Sequence, residues 1–443
     1  MHHTNLIDRA NVIRAHLIDK NQIGIMNQIG TLSDPFLQNG LYNTFIVDQS
    51  GNHNRVGTDG EGVHQNGQSA SPTVFNQITI TQTSDRNTVG EILQSALGAI
   101  PDGANRLEIT QQSGEANTVN EVLQNQFDGM PGQSATLIQS GEGNVLARVE
   151  QQSLTPAKKN ENLIHAEFYG IGNGAVGLSG FALEIGASSG ELKQTIGSDG
   201  LGANGNDMSL SITGDYNRFG IFQGGRLNSV GVITIQGSQN QLGLRQDGLE
   251  NDFTSSLIAG DGNIMGFSQW GTNTAYFDMV GQGDDNQVLV RQAGTNDLRL
   301  RVEGHRNTSI SHQDFHEGLG GDNDAEIALS GSENFMNLSQ NGSNIAVLSI
   351  EGEGNNTSGF SQAPLLEAGI DTGMITQSGS RNFIWAEVLG VGNNTAIAQE
   401  GTENTVTAFV RGNANQFVIV QAGLANTARS SQLGIQNSVF VSQ

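Results

Sequence analysis

The sequence contains no cysteine, which excludes a disulfide framework, a thiol nucleophile and a cysteine-built metal site. Proline is nearly absent, at 6 of 443 residues, and charged residues make up only 14%. Both facts argue against disorder, because disordered chains of low hydrophobicity are usually rich in charge and proline. Aromatic residues are 5% and hydrophobic residues 35%, too few for the conventional core that 443 residues would otherwise build. Cations are scarce: 20 Lys and Arg stand against 44 Asp and Glu, a formal charge of −24. That balance disfavours nucleic acid, which needs a basic surface, and anionic lipid. It favours solubility and slow self-association, since like-charged chains repel. No apolar run approaches the roughly 20 residues of a membrane-spanning helix, so no membrane insertion is expected. The opening residues Met1-His2-His3-Thr4-Asn5 carry no basic-plus-apolar export segment. A removed signal, a fragment and a chain that is not exported all stay open at this point.

What is present in quantity is glycine, at 60 residues, with Asn, Gln and regularly spaced Val, Ile and Leu. The hexapeptide Gln-x-Gly-x-x-Asn recurs along the chain. It occurs at Gln38, Gly40 and Asn43; at Gln49, Gly51 and Asn54; at Gln112, Gly114 and Asn117; and at Gln139, Gly141 and Asn144. Further copies are Gln223, Gly225 and Asn228; Gln246, Gly248 and Asn251; and Gln377, Gly379 and Asn382. The last are Gln399, Gly401 and Asn404; Gln421, Gly423 and Asn426; and Gln432, Gly434 and Asn437. Composition alone would give about one match or fewer, so the repeat is real. Near the C-terminus the first position falls at 377, 388, 399, 410, 421, 432 and 443, a constant step of 11. In the middle, Gln223, Gln246, Gln269 and Gln292 stand 23 apart. The unit is therefore about 22 residues made of two similar halves, one often led by Gln and the other often by an aliphatic residue.

Each half reads as a turn plus a strand. After Asn404, Val406, Ala408 and Val410 share its face, while Thr405, Thr407 and Phe409 take the other. This period of two is the pattern of a strand with one buried side. Gly and Asn are expected to take the positive φ of the intervening tight turn. Two strands and two turns make one flattened coil. The expected fold is all-β: a two-sided parallel β-solenoid of about 22-residue coils with loop insertions. Stacked coils would place Gln over Gln and Asn over Asn, so that the buried amides bond along the axis. The aliphatic burial of one coil does not offset the entropy of ordering its backbone, so stability must come from stacking.

Several segments break the count: roughly 55–75, 95–106, 126–135, 153–162, 175–206, 314–325 and 363–374. Most hold Gly or Pro, as loops leaving at a turn would. The expected organisation is an atypical N-terminal cap over 1–37, either a coil or a short helix. A solenoid block with insertions follows over 38–174, an irregular insertion over 175–206, and a regular block over 207–443.

Isolated motifs of catalysis and binding read as chance. Gly186-Ala187-Ser188-Ser189-Gly190 matches a nucleophile elbow but lacks strand-turn-helix context and a triad partner. Gly200 to Gly205 matches a dinucleotide fingerprint without a following helix. His312 and His316 have metal-ligand spacing only on a helix. Gly320-Gly321-Asp322-Asn323-Asp324 occurs once, where calcium-binding repeats need tandem copies, and is expected to be a solvated loop. Phe383, Trp385 and Phe409 are expected to face outward and pack laterally. No catalytic, cofactor-binding or metal-ligating residue is assigned, and the chain is not expected to be an enzyme.

The Gln-x-Gly-x-x-Asn turn, with small or aliphatic alternation and another Gln about 11 residues on, resembles the curlin repeat. Gln82-Thr83-Ser84-Asp85-Arg86-Asn87 is similar to its second-half variant, and Asn437-Ser438-Val439-Phe440-Val441-Ser442-Gln443 closes on the Gln place. The resemblance covers about 38–443 with interruptions. It implies an extracellular, self-assembling amyloid fibre subunit of biofilm matrix and adhesion, exported unfolded through an outer-membrane pore and started by a nucleator subunit. This chain has more repeats than typical curli subunits, long insertions and no export signal. Head-to-tail stacking is expected through an uncapped C-terminal coil. The alternative is a non-amyloid solenoid shaft of an adhesin or phage fibre. A carbohydrate-active β-helix would need clustered Asp with Lys or Arg on one face, and an ice-binding solenoid would need a Thr array. Neither pattern is present in the sequence.

Overall fold

The computed structural model describes residues 16–17, 22–28, 31–32, 37–41, 43–50, 52–57, 62–68, 76–96, 105–126, 132–153, 163–196, 206–254, 256–278, 283–313 and 322–443. Up to residue 41, and at a few strand ends, only the backbone is described. The chain forms two compact units, one of residues 1–178 with 187–238, the other of 179–186 with 239–443. Both are parallel β-solenoids.

In the first unit alternate strands stack on one another. Thr44–Gln49, Gln77–Gln82, Arg106–Gln112, Ser134–Ser140, Leu163–Tyr169, Asp207–Thr213 and Ser229–Gln236 pair in order to form one parallel face. Val63–Gln68, Thr88–Ala96, Thr118–Gln126, Val145–Ser153, Glu191–Ile196 and Arg218–Arg226 form the other. The alternation of Gln77–Gln82 is decisive: Ile78, Ile80 and Gln82 are fully buried between the faces, and Gln77, Thr79 and Thr81 look outward. The sequence 175–206, expected to be an irregular insertion, contains a short helix α1 (Gly180–Glu184) and then the strand Glu191–Ile196. That strand is part of a coil, with Leu192 over Val149 and Gln194 over Gln151. At the N-terminus the described backbone is coil-like and not helical. His16 pairs with Leu37, and Gln22–Gln28 runs parallel to Thr44–Gln49 with a register shift after Met26.

In the second unit the ladder turns the corner without a break. Ile264–Asp278 matches Gln287–Arg301 residue for residue, including Gly271 over Gly294 in the bend. The C-terminal coils do the same, Asn394–Thr402 under Gln416–Leu424 and Thr405–Asn413 under Thr427–Ile435. A second short helix, α2 (Ala363–Glu367), leaves this unit with Pro364 in its first turn.

The turn chemistry differs from expectation in one respect. Turn glycines do take positive φ, from 93° at Gly225 to 133° at Gly114 among those named above whose angle is described. The row asparagines do not. The residue just before most of them is left-handed, as at Arg86 at 57°, Tyr216 at 57°, Glu403 at 58° and Ala414 at 53°. The Asn side chain has to enter the core, so the αL kink falls on the outward-pointing residue preceding it, where a non-glycine costs about 1 kcal/mol. Glycine has a second reason to be there. A Cβ on Gly401 would overlap the carbonyl oxygen of Gly423 one coil on, and one on Gly379 would overlap that of Gly401.

Candidate functional site: stacked amide rows

Two glutamine rows run inside the first unit. In one, each Nε2 donates to the Oε1 of the next coil: Gln49 to Gln82 at 2.6 Å, Gln82 to Gln111 at 2.7 Å, and Gln111 to Gln139 at 2.8 Å. The other runs Gln65, Gln94, Gln124, Gln151, Gln194 and Gln223, at 2.6–3.1 Å. The second unit has one long row: Gln246, Gln269, Gln292, Gln313, Gln340, Gln377, Gln399, Gln421 and Gln443, at 2.8–3.2 Å. All but Gln443 of this row are buried.

The asparagine rows run the opposite way. The main-chain N–H and side-chain Nδ2 of Asn404 both donate to Oδ1 of Asn382, one coil back, each at 3.1 Å. Asn144 treats Asn117 likewise, and Asn437 treats Asn415 likewise. Asn117 is bonded to Asn87, and Asn87 takes the Oδ1 of Asn54 through its main-chain N–H. Asn228 uses Asn206, Asn273 uses Asn251, Asn426 uses Asn404, and Asn76 donates to Asn43. Backbone partners fix which way each amide points: Gln111 Nε2 also reaches the carbonyls of Thr88 and Asn117, and Asn404 Nδ2 reaches those of Glu400 and Gly423. Each coil therefore donates forward through Gln and backward through Asn. Inside a row a buried amide finds both a donor and an acceptor in its neighbours, which a low-dielectric interior demands; the exceptions include Gln49 Oε1, Asn54 Nδ2 and Gln432 Oε1, which are buried without a partner.

The structure corrects one ladder assignment. Gln112 faces outward, over Ser140, and Gln111 holds the row position over Gln139. The turn from Gln111 to Asn117 is one residue longer than that from Gln139 to Asn144, and Ser113 at φ 54° joins Gly114 in absorbing the extra residue. Gln432 is buried but stacks on Val410, not on another Gln. Gln38 pairs through its backbone with Gln65, its side chain lying outside the described residues, as does Gly51. Gly40 pairs with Gly67, while Gly141, Gly225, Gly248, Gly379, Gly401, Gly423 and Gly434 all have the positive φ of turn glycines.

Several row residues escape the hexapeptide search. Gln65, Gln94, Gln124, Gln151, Gln194 and Gln313 are each followed by extra sequence before the next Asn-place residue. Asn76, Asn105, Gln133, Asn206 and Asn323 close five of those gaps. Insertion at one recurring corner hides the Gly-x-x-Asn while leaving the Gln in register. The signal that reveals them is the buried strand before the gap, such as Ile92-Leu93-Gln94 against Val122-Leu123-Gln124.

Other motifs resolve locally. Ser189 Oγ accepts the N–H of Leu178 at 2.7 Å, inside the segment that carries α1. Gly200 to Gly205, His316, Gly320 and Gly321 lie outside the described residues. His312 lies on the strand Thr308–Gln313, not on a helix, and burial lowers its pKa. Asp322–Ala325 is a strand and not a loop: Asn323 is buried and donates to Asn296 Oδ1 at 3.1 Å. The row Asn inside that glycine-aspartate stretch is what makes it a strand. Phe383 and Phe409 are half-buried, and Trp385 is exposed with its ring edge-on to Phe409, centroids 4.7 Å apart. In the variant Gln82 to Asn87 turn, the main-chain N–H and then the side chain of Asn52 hold the Asp85 carboxyl below its usual range. Among the described residues no three His, Asp or Glu side chains gather as a metal site would require. None of their helices is long and apolar enough to cross a membrane.

No family model, curated protein or solved structure matches the chain.

Proposed function

We propose that the protein is a structural, non-catalytic subunit of an extracellular fibre of the curlin-repeat kind, assembling by stacking coil on coil. The observation that carries this reading is the opposed polarity of the amide rows. Glutamine donates forward and asparagine donates back in every well-described coil, as at Gln399 to Gln421 and Asn404 to Asn382. The leading side of any coil therefore complements the trailing side of any other, whichever chain supplies it. The carbonyl of one turn glycine covers the turn glycine of the coil before it, as at Gly379, Gly390, Gly401 and Gly412, so a coil added beyond that of Thr427–Ile435 and Ser438–Ser442 would meet the same surface at the turns of Gly423 and Gly434. Extracellular location, biofilm adhesion, a nucleator subunit and secretion machinery as partners follow from the curlin resemblance and belong to the same proposal. The test is assembly of purified chain, followed by amyloid-dye fluorescence and negative-stain microscopy, with and without seeds. Intact chain should grow seeded fibres, and chain lacking 377–443 should grow at least several-fold more slowly. Equal growth rates, or discrete particles that never bind dye, would overturn the reading.

A further inference from the structure

Two segments that interrupt the coils are copies of one element. In the first, Leu183-Glu184-Ile185-Gly186 is followed by Gly190-Glu191-Leu192-Lys193-Gln194. In the second, Leu366-Glu367-Ala368-Gly369 is followed by Gly373-Met374-Ile375-Thr376-Gln377 at the same spacing. Upstream, Gly177-Leu178-Ser179 matches Gly359-Phe360-Ser361. The contacts match as well. Gly190 N–H donates to Phe219 O, and Gly373 N–H to Thr395 O, both at 2.7 Å. Ser179 bonds Gln241 Oε1 through N–H at 2.8 Å and Oγ at 3.0 Å. Ser361 N–H bonds Gln416 Oε1 at 3.0 Å, and Gln416 Nε2 returns a short bond to Ser361 Oγ. Gln241 and Gln416 each directly follow a row asparagine, Asn240 and Asn415. The helices rest on the outward face: Ala182 and Phe181 carbonyls lie where Gly243 and Gly266 leave no side chain, while Phe360 and Leu365 pack on Ala396 and Val418.

The second copy lies within one unit, where its reach can be counted. It leaves the coil of Asn355, crosses that of Asn393 and clips to that of Asn415. It is a clean insert. Joining Asn356 to Gly373 would leave Asn355-Asn356-Gly373-Met374-Ile375-Thr376-Gln377, the same frame as Asn393-Asn394-Thr395-Ala396-Ile397-Ala398-Gln399. Joining Gly174 to Gly190 restores the frame at the first copy.

A solenoid of near-identical coils has a specific weakness. Sliding by one whole coil keeps Gln over Gln and Asn over Asn, so the rows cannot tell the native register from a slipped one. A segment tied to the coil two further on can. We propose that these two segments are straps that set coil register, through the Ser361–Gln416 and Ser179–Gln241 clips and the apolar pads beside them. This role does not depend on whether the chain polymerises.

The absence of native cysteine allows a direct test on the full chain. Thr402 lies over Leu424 in the native ladder, and Ser380 over Thr402. Adjacent coils sit about 4.8 Å apart, within disulfide reach, and alternate coils about 9–10 Å apart, outside it. Thr402→Cys with Leu424→Cys reports native register; Ser380→Cys with Leu424→Cys reports a slip that skips one coil. Each pair is placed in intact chain, in chain lacking 357–372, and in Ser361→Ala with Gln416→Ala, then refolded from denaturant and oxidised. Intact chain should link only 402 to 424. The deletion should raise the 380–424 link several-fold over the intact background, and the point variants should fall between. A deletion variant that refolds with the 402–424 link complete and the 380–424 link at background overturns the proposal. So does one that fails to recover strand signal by circular dichroism, since the strap would then supply stability and not register.

Discussion

One inward-facing position is filled in two ways in two regions of the molecule. From Gln49 through Gln82 and Gln111 to Gln139 it is a glutamine run, each bonded to the next. From Ile350 through Val388 to Val410 it is aliphatic, with every member buried. The backbone around it is the same parallel coil in both regions. The sheet itself therefore does not require an amide there. What it requires is uniformity: a row works as all amide or all aliphatic, and trouble collects where one gives way to the other. In the first region the change is handled well. Phe168 follows Gln139 and stacks on Phe219 with centroids 5.0 Å apart, while Gln139 Nε2 turns to the carbonyls of Thr118 and Asn144. In the second region it is handled poorly. Gln432 follows Val410, and its Oε1, which should accept from the coil before, is buried without a partner.

The sharpest way to break the comparison is to put an aliphatic residue inside the amide run. Gln111→Leu removes the acceptor of Gln82, the donor to Gln139 and a bond to the Asn117 carbonyl. Each buried group so stranded costs about 1–3 kcal/mol, offset in part by apolar burial, so a loss of about 2–4 kcal/mol is expected. Local hydrogen exchange of the strands Gln77–Gln82 and Ser134–Ser140 should report it. Gln112→Leu, one residue on but facing outward, should change the same amides by no more than about 0.5 kcal/mol. Equal effects would place the row on Gln112 after all.

The converse substitution tests the aliphatic region. Val388→Gln puts one amide between Ile350 and Val410, neither of which can donate or accept. Burying an unpaired amide should cost about 2–3 kcal/mol, read as faster exchange in Met374–Val391 and Thr405–Asn413. If the variant were as stable as the parent, the proposed requirement for uniform rows would be wrong.

These expectations also mark what the sequence made legible. Period-two alternation and the 11- and 23-residue steps set out the coil, its parallel stacking and most row members, because the ladder imposes the same residue at the same height. Three features were hidden, each for a physical reason. Gln111 was masked by Gln112, since a longer turn shifts the hexapeptide by one without shifting the strand. Left-handed backbone was expected of Asn, the residue best suited to it, but inward pointing of the side chain moves that geometry to Arg86, Glu403 and their equivalents. The paired straps were divided between two apparent irregularities at 175–206 and 363–374, because their likeness lies in spacing around Leu-Glu-x-Gly and not in the coil repeat. Periodicity finds what is stacked and is blind to what crosses the stack.

The smallest effect has the opposite sign. Gln432→Val extends the aliphatic row Ile350, Val388 and Val410 by one coil and removes the stranded Oε1. It also gives up the bond from Nε2 to the Gln416 carbonyl at 3.0 Å. Relief of a buried unpaired acceptor is worth about 1–3 kcal/mol, and a neutral hydrogen bond to backbone about 1 kcal/mol, so the net should be stabilising by up to about 1 kcal/mol. Slower exchange in Thr405–Asn413 would show it. A glutamine that is better removed in one region, while Gln111 is indispensable in another, is what row uniformity demands; a loss on Gln432→Val comparable to that of Gln111→Leu would mean that each amide acts through its own backbone contacts and that its neighbours in the row do not matter.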